Sequence, residues 1–285
     1  MTQTQQERKL IGYLGPHGTY SEEVAFYLNQ HGGSHFIPYR RIDTAIRAVM
    51  AGEIDECVVP LENSLEGSVN ITLDTLAHDV HVFIIREIIW PIEHNLLIKQ
   101  GTAQIDTIIS HPQALAQCRQ FLSRLYPHAD IKAIDSTAEA AKRVADGAAN
   151  HAAVGSTRAA NLHGLEIKHS NIQDYTHNCT RFVVLGRQLA AADEEDSQYK
   201  TSVACQIDGQ KPGSLCEILQ EFAHRSVNLT RIESRPARVG LGVYIFFLDI
   251  AGGIHEQNVA EAVEAVKRKS QWFKNLGSYP VLTIR

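Results

Sequence analysis

Asn178-Cys179-Thr180-Arg181-Phe182-Val183-Val184-Leu185-Gly186 is a polar cluster that runs onto an uninterrupted apolar strand, with an acidic segment at 193–196 close behind. A short apolar run without alternation reads as a strand buried on both faces. A hydroxyl, a fixed cation and an amide at its head are suited to holding an anionic substrate and hydrogen-bonding a leaving oxygen. Its position in the chain matters as much as its chemistry. Upstream, strand-like runs at 10–14, 36–39, 56–60, 107–110, 129–134 and 152–155 alternate with helical patterns at 19–31, 42–51, 111–126 and 136–146. Such alternation predicts an α/β fold with a mostly parallel sheet. Residues 82–99 break the rhythm as one long β-prone stretch containing Pro91, and a clean repeat resumes at Ile105. The pattern predicts two α/β lobes, about 9–90 plus 175–189 and about 91–174, with the strand after Thr180 returning to the first. Two crossings make a hinged cleft, and ligands of such sheets bind at the carboxyl ends of strands and between lobes.

Residues 190–199 are small and acidic and read as a linker. Beyond them the order is a strand (201–207), an amphipathic helix (212–226) with Leu215, Ile218, Leu219 and Phe222 on one face, and two strands (228–235, 241–250). A helix (255–269) and a last strand (278–284) complete a βαββαβ, ferredoxin-like plan. The predicted domains are therefore 1–189 and 200–285.

The 285 residues carry a net charge of −5, which argues against nucleic-acid binding. No apolar run approaches the length of a membrane helix, and residues 1–9 lack the apolar core of a signal peptide. Five cysteines form no C-x-x-C pair, so a reduced, cytoplasmic protein is expected. The pairs His78/His81 and His31/His35 complete no ligand set, and no metal site is expected.

Several helices open on capping signatures. Thr19-Tyr20-Ser21-Glu22 is a capping box behind Gly15-Pro16-His17-Gly18; Ser110-His111-Pro112-Gln113 and Ser136-Thr137-Ala138-Glu139 have the same form, and Ser156 opens a fourth helix. Free N–H groups and the helix dipole make such ends anion sites. If Thr19, Ser110 and Ser156 face one cleft, the ligand is a small molecule carrying carboxylates or phosphates. Glu62-Asn63-Ser64 stands at the carboxyl end of a strand, as a cleft lip or as a polar turn. Gln117, two turns after Ser110, shares its helix face or is simply solvated. Arg181 either holds a carboxylate or fixes its strand in a salt bridge.

Six segments together resemble one family. Residues 15–22 resemble the G-P-x-G-T-[FY]-S-E opening of prephenate dehydratases, residues 60–67 their P-x-E-N-S-x-x-G segment, and residues 110–118 their S-H-P-Q-x-x-x-Q-C helix start. Asn178-x-Thr180-Arg181-Phe182 resembles their N-x-T-R-F signature. In the tail, Gly213-Ser214-Leu215 and Glu233-Ser234-Arg235-Pro236 resemble the G-[AS]-L turn and E-S-R-P motif of an ACT domain. His177, His163 and Arg158 depart from the usual pattern.

The resemblance implies a two-lobed catalytic domain like type II periplasmic binding proteins, followed by an ACT regulatory domain, in a monofunctional enzyme. It implies conversion of prephenate to phenylpyruvate with loss of CO2 and water, needing no cofactor or metal. Arogenate dehydration and non-catalytic anion binding are the alternatives. Thr180, Glu62, Asn63, Ser110 and Gln117 are its implied catalytic residues; Thr19, Ser21, Ser64, Ser156, Asn178, Arg181 and Phe182 are its implied substrate contacts. Gly213, Ser214, Leu215, Asn228, Leu229, Glu233, Ser234, Arg235 and Pro236 are its implied L-phenylalanine site at a subunit interface. A homodimer or homotetramer with feedback inhibition follows, with no nucleic-acid or membrane partner.

Overall fold

A computed structural model describes residues 8–30, 33–147, 149–190 and 198–284. Most of the linker expected at 190–199, and His31 of the His31/His35 pair, lie outside the described residues. The first lobe begins with β1 (Leu10–Leu14), α1 (Tyr20–Leu28), β2 (His35–Tyr39), α2 (Ile42–Ala51) and β3 (Glu56–Asn63). It continues with β4 (Gly67–Ser68), α3 (Asn70–His78) and β5 (Phe83–Pro91). The second lobe holds β6 (Asn95–Ile98), β7 (Thr107–Ser110), α4 (Pro112–Gln117), α5 (Arg119–Leu125) and β8 (Asp130–Ala133). It ends with α6 (Thr137–Asp146), β9 (His151–Gly155), α7 (Thr157–His163) and β10 (Glu166–His169), after which β11 (Cys179–Gly186) returns. The tail is β12 (Tyr199–Gln206), α8 (Ser214–Ala223), β13 (Leu229–Pro236), β14 (Tyr244–Ala251), α9 (Gln257–Lys269) and β15 (Trp272–Thr283), a βαββαβ unit.

The stretch at 82–99 is two strands rather than one. Residues 92–94 separate β5 from β6, which belong to different sheets. The outgoing and returning crossings lie side by side: Ile92 N donates to Asn178 O and Ile172 N to His94 O, at 2.9 and 2.8 Å. The second lobe has its own sheet, ordered β10-β6-β9-β7-β8. The first lobe and the tail share one, ordered β13-β14-β12-β15-β5-β11-β3-β1-β2, because β15 pairs in parallel with β5 through Val281, Leu282 and Thr283.

Strand β11 lies between β3 and β5, antiparallel to both. Val183 and Leu185 pack with Ile46, Val49, Leu73 and Leu76; Phe182 and Val184 pack with Tyr13, Val24 and Ile88. Burial on both faces explains the unbroken apolar run, each side chain contributing about 1.5–3 kcal/mol. Opposite the junction of Arg181 and Phe182, β3 carries a bulge: Arg181 pairs with Glu62 but Phe182 with Pro60, so Leu61 is extra. The bulge shifts the facing of every β3 residue after it.

On the tail-facing side of β11, Arg181 is almost fully buried among acids. Its guanidinium reaches Glu87 at 2.6 Å, Asp249 at 2.5 Å and Tyr279 Oη at 3.1 Å; Glu87 and Asp249 are 0% and 3% exposed. Burial works to raise the Asp249 pKa. The Arg181 charge, hydrogen bonds from Arg181 and Ser202, and the charge of Arg231 outweigh it and hold the carboxyl below its ordinary value. Lys200 closes the other side of Glu87 at 2.6 Å.

The lobes meet at the turn before α1. Gly18 has φ +88°, and a Cβ there would come within 3.5 Å of Ala138 and Ala159 of the second lobe. Glu22 of α1 is buried and takes hydrogen bonds from Tyr13 Oη, Gly18 N and, across the lobes, Arg158 Nε at 2.7 Å. Arg158, the residue unexpected from the family pattern, also lies over the Phe26 ring, 4.4 Å from its centroid. Burial pushes the Glu22 pKa up, but the bonds from Arg158, His17, Gly18 N and Tyr13 bring it below the usual glutamate value.

Two outcomes are expected. Arg181→Leu strands two buried carboxylates and lowers the unfolding free energy by about 3–5 kcal/mol in urea titrations. Because the folded Glu22 pKa is depressed, its link to Arg158 stabilises above the ordinary carboxyl value of about 4.3 and is lost as pH falls through the folded value. The urea midpoints of wild type and Arg158→Met therefore differ at neutral pH and converge in acid.

Candidate active site

A cleft of about 260 Å³ opens between the lobes, lined from the first by Leu14, Thr19, Ser21, Asn63 and Thr180 and from the second by His111, Gln113, Gln117, Ser136 and Thr137. A larger groove of about 510 Å³ between the first lobe and the tail, bordered by Arg86, Arg187 and Tyr199, contains none of the expected site residues. Among the described residues, no Lys or Arg lines the interlobe cleft, and Asp135 is its one carboxylate.

Positive potential is supplied instead by helix ends. Thr19 caps α1, its hydroxyl accepting from Glu22 N, and Ser136 caps α6, accepting from Glu139 N. These two starts face the cleft from opposite lobes and present unpaired backbone N–H groups and the positive ends of two dipoles. His111, not Ser110, caps α4, through its ring nitrogen and Gln113 N.

The hydrogen-bond directions at the cleft floor follow from one residue. Asn63 Oδ1 accepts from Leu65 N and Glu66 N at 3.0 and 3.1 Å, and backbone N–H groups only donate. Its Nδ2 must therefore donate, and does so to Thr180 Oγ1 and Asn178 Oδ1, each at 2.9 Å. With its oxygen used, Asn178 donates through Nδ2 to Gln117 Oε1, which also faces His94 Nε2 at 2.9 Å. Gln117 Oε1 accepts only, so His94 is the Nε2–H tautomer. Burial lowers the His94 pKa and so favours the uncharged ring, partly offset by its bond to Gln117. Thr180 receives a hydrogen bond and, among the described residues, gives none. Its proton is free for a ligand.

Of the residues expected at the site, Thr180, Asn63, Gln117, Thr19, Ser21, Asn178 and Phe182 line this cleft. Five do not. Arg181 alternates with Thr180 and points into the buried acidic cluster, so it holds the strand and no substrate carboxylate. The β3 bulge turns Glu62 to the same side, where it meets Arg181 at 3.6 Å and Arg231 at 3.4 Å. Ser64 bonds His177 O and takes Cys179 N, pinning the returning crossing. Ser110 is buried and donates to Val154 O inside the second lobe's sheet. Ser156 caps α7 and faces Gly18 O at the lobe contact. The third helix start at the cleft is thus Ser136, not Ser156. His94, His111, Gln113, Tyr20, Asp135 and Thr137 also line it. His111 and Gln113 sat inside a recognised capping segment. His94, in a β-prone stretch, carried no pattern.

In the tail, Gly213 caps α8 with φ +85° and Leu215 packs on the core. Asn228 O accepts from Ala251 N at the end of β14, and Leu229 begins β13 against that core. Ser234 and Pro236 lie on the exposed face of β13, while Glu233 reaches Ser68 at 2.8 Å and Arg235 grips Asp74 through two bonds of 2.9 and 3.0 Å.

Comparison with known proteins gives these features a family. Residues 11–190 match the prephenate dehydratase family model and residues 209–268 the ACT domain model. The prephenate dehydratase of Methanocaldococcus jannaschii is 39% identical over 277 residues, covering 96% of this chain and 98% of that protein. Prephenate dehydratase from Arthrobacter aurescens, solved in complex with L-Phe, superposes with a TM-score of 0.85 at 37% identity, over 95% of this chain and 90% of that one. GqqA, described as a novel type of quorum quenching acylase, superposes with a TM-score of 0.84 at 30% identity, over 96% and 98%. The chain belongs to the prephenate dehydratase family and carries an ACT domain after its two-lobed region.

Proposed function

We propose that this chain converts prephenate to phenylpyruvate, expelling the ring carboxylate as CO2 and the ring hydroxyl as water, in L-phenylalanine biosynthesis. The observation that carries the reading is the Thr180 hydroxyl, oriented by Asn63 to donate into a cleft flanked by two helix starts. Prephenate is a dianion, and the starts of α1 and α6 are suited to its carboxylates. As the C–C bond to the ring carboxylate breaks, its electron pair enters the ring. The C–O bond then breaks, and charge develops on the departing oxygen. A threonine hydroxyl is too weak an acid to hand over a proton unaided. Its preorganised hydrogen bond stabilises the forming hydroxide, which becomes water with a proton drawn from solvent. Aromatisation supplies the driving force. Asp135 at the cleft wall favours the second reading, arogenate, whose ammonium replaces the ketone of prephenate.

The ACT domain reads L-phenylalanine in this proposal. Support comes from the polar bridge between β13 and the catalytic strands: Arg231 meets Ser68, Glu62 and Asp249, and Glu62 meets Arg181 beside Thr180. Among the described residues strand β13 is a sheet edge with nothing paired on its outer side and Ile232 46% exposed, which suits pairing with a second subunit in a homodimer or homotetramer. A biosynthetic enzyme of this kind belongs in the cytoplasm, and no helix among the described residues is long and apolar enough to cross a membrane.

Purified protein incubated separately with prephenate and arogenate tests the substrate. Phenylpyruvate from the first is expected; phenylalanine from the second alone assigns arogenate, and no product from either leaves an anion-binding protein. Isosteric Thr180→Val is expected to lower kcat by about 10²–10³ with an unchanged urea midpoint. L-Phenylalanine is expected to slow turnover, and Asp74→Asn, which releases Arg235, to raise the half-inhibiting concentration severalfold while leaving uninhibited turnover within about twofold.

A further inference from the structure

His94 and Gln117 are both nearly fully buried in the cleft wall, 4% and 7% exposed, and each has one polar atom without a partner among the described residues: His94 Nδ1 and Gln117 Nε2. Orphaned buried polar atoms are costly, and two on touching side chains in a ligand cleft mark a missing partner. The hydrogen-bond directions fix the character of each. Gln117 Oε1 accepts from Asn178 and His94, so its Nε2 is a free donor. His94 uses Nε2–H toward Gln117, so its Nδ1 is a free acceptor.

Two side chains in contact that leave one donor and one acceptor unused are complementary to a group that both accepts and donates. A hydroxyl or a water does so; a carboxylate or a ketone does not, since an anion at Nδ1 would set acceptor against acceptor. We propose that His94 and Gln117 form a hydroxyl-recognition subsite that selects the substrate's departing ring hydroxyl and orients the ring, with His94 Nδ1 accepting the hydroxyl proton. This rests on the prephenate reading above.

Substrate geometry then follows. The ring carboxylate is turned away from His94 toward the helix starts, and the hydroxyl, which keeps its proton and donates a hydrogen bond to Nδ1, has its lone pairs left for donors. On cleavage the oxygen takes the C–O electron pair and one proton from solvent by way of the Thr180 side. The resulting water has one hydrogen toward His94 and satisfies the same two atoms that the hydroxyl did. Gln117 and His94 therefore act on both the alcohol and the water it becomes. Tyr20 braces the arrangement, its ring meeting the His94 ring edge-on with centroids 6.4 Å apart and its hydroxyl bonded to Glu93 O.

The test uses two non-reacting ligands, the ring-saturated analogue of prephenate and its counterpart with hydrogen in place of the ring hydroxyl, measured by calorimetry beside prephenate turnover. Wild type is expected to bind the hydroxylated analogue at least tenfold more tightly. His94→Gln places an amide where Nε2 was and so keeps a partner for Gln117, but removes the acceptor; its preference is expected to fall within about threefold. His94→Asn restores an acceptor at the Nδ1 position and is expected to recover most of the preference. Equal binding of the two analogues by wild type overturns the subsite without any variant, as does full preference in His94→Gln. Turnover of prephenate with no hydroxyl preference overturns the subsite alone; absence of both turnover and analogue binding overturns the prephenate reading with it.

Discussion

The burial of Arg181 between Glu87 and Asp249 is the contact on which the rest is arranged. A guanidinium with almost no exposure is tolerable only with acids and hydroxyls on every side, and those partners come from β5, β14 and β15. The pairing locks the last strand of the two-lobed region to the tail's sheet. Because side chains alternate along a strand, fixing Arg181 on one side fixes Thr180 on the other, at the floor of the cleft. The cation that looked like a substrate ligand is the anchor that aims one.

A second constraint runs through amides. Two backbone N–H groups set the orientation of Asn63, and that setting passes in turn to Asn178, Gln117 and His94. Each link has a single allowed direction. The outcome is a wall whose free donors and acceptor are set from Leu65 N and Glu66 N, which lie outside the cleft lining. Such a network gives a neutral hydroxyl a defined role without any shifted acid, which suits a reaction whose driving force lies in the substrate.

Much of this was legible in the sequence. The run Phe182 to Gly186 announced a strand buried on both faces, the break near Pro91 announced the crossing, and Thr19 and Ser136 announced helix starts. What was not legible depended on one inserted residue. Leu61 is an ordinary apolar residue in an apolar strand, yet as a bulge it moves Glu62 from the cleft to the opposite side. Ser110 failed for a similar reason: the side chain that looked like a cap bonds a neighbouring strand, and His111 takes the cap. His94 was hidden because its partners, Gln117 and Tyr20, are distant in sequence. No local pattern distinguishes a histidine facing a cleft from one facing solvent.

The parallel pairing of β15 with β5 has a mechanical meaning. Through it the tail and the first lobe share one lattice of backbone hydrogen bonds instead of a flexible joint. The tail is not free to swing as a rigid body while that ladder holds. A force applied at its outer edge is passed on as twist or shear across adjoining strands, and β11 lies next in line after β5. Displacements of this kind are small, but the floor of the cleft is one strand wide. A fraction of an ångström along β11 is enough to change the angle at which the Thr180 hydroxyl meets its target.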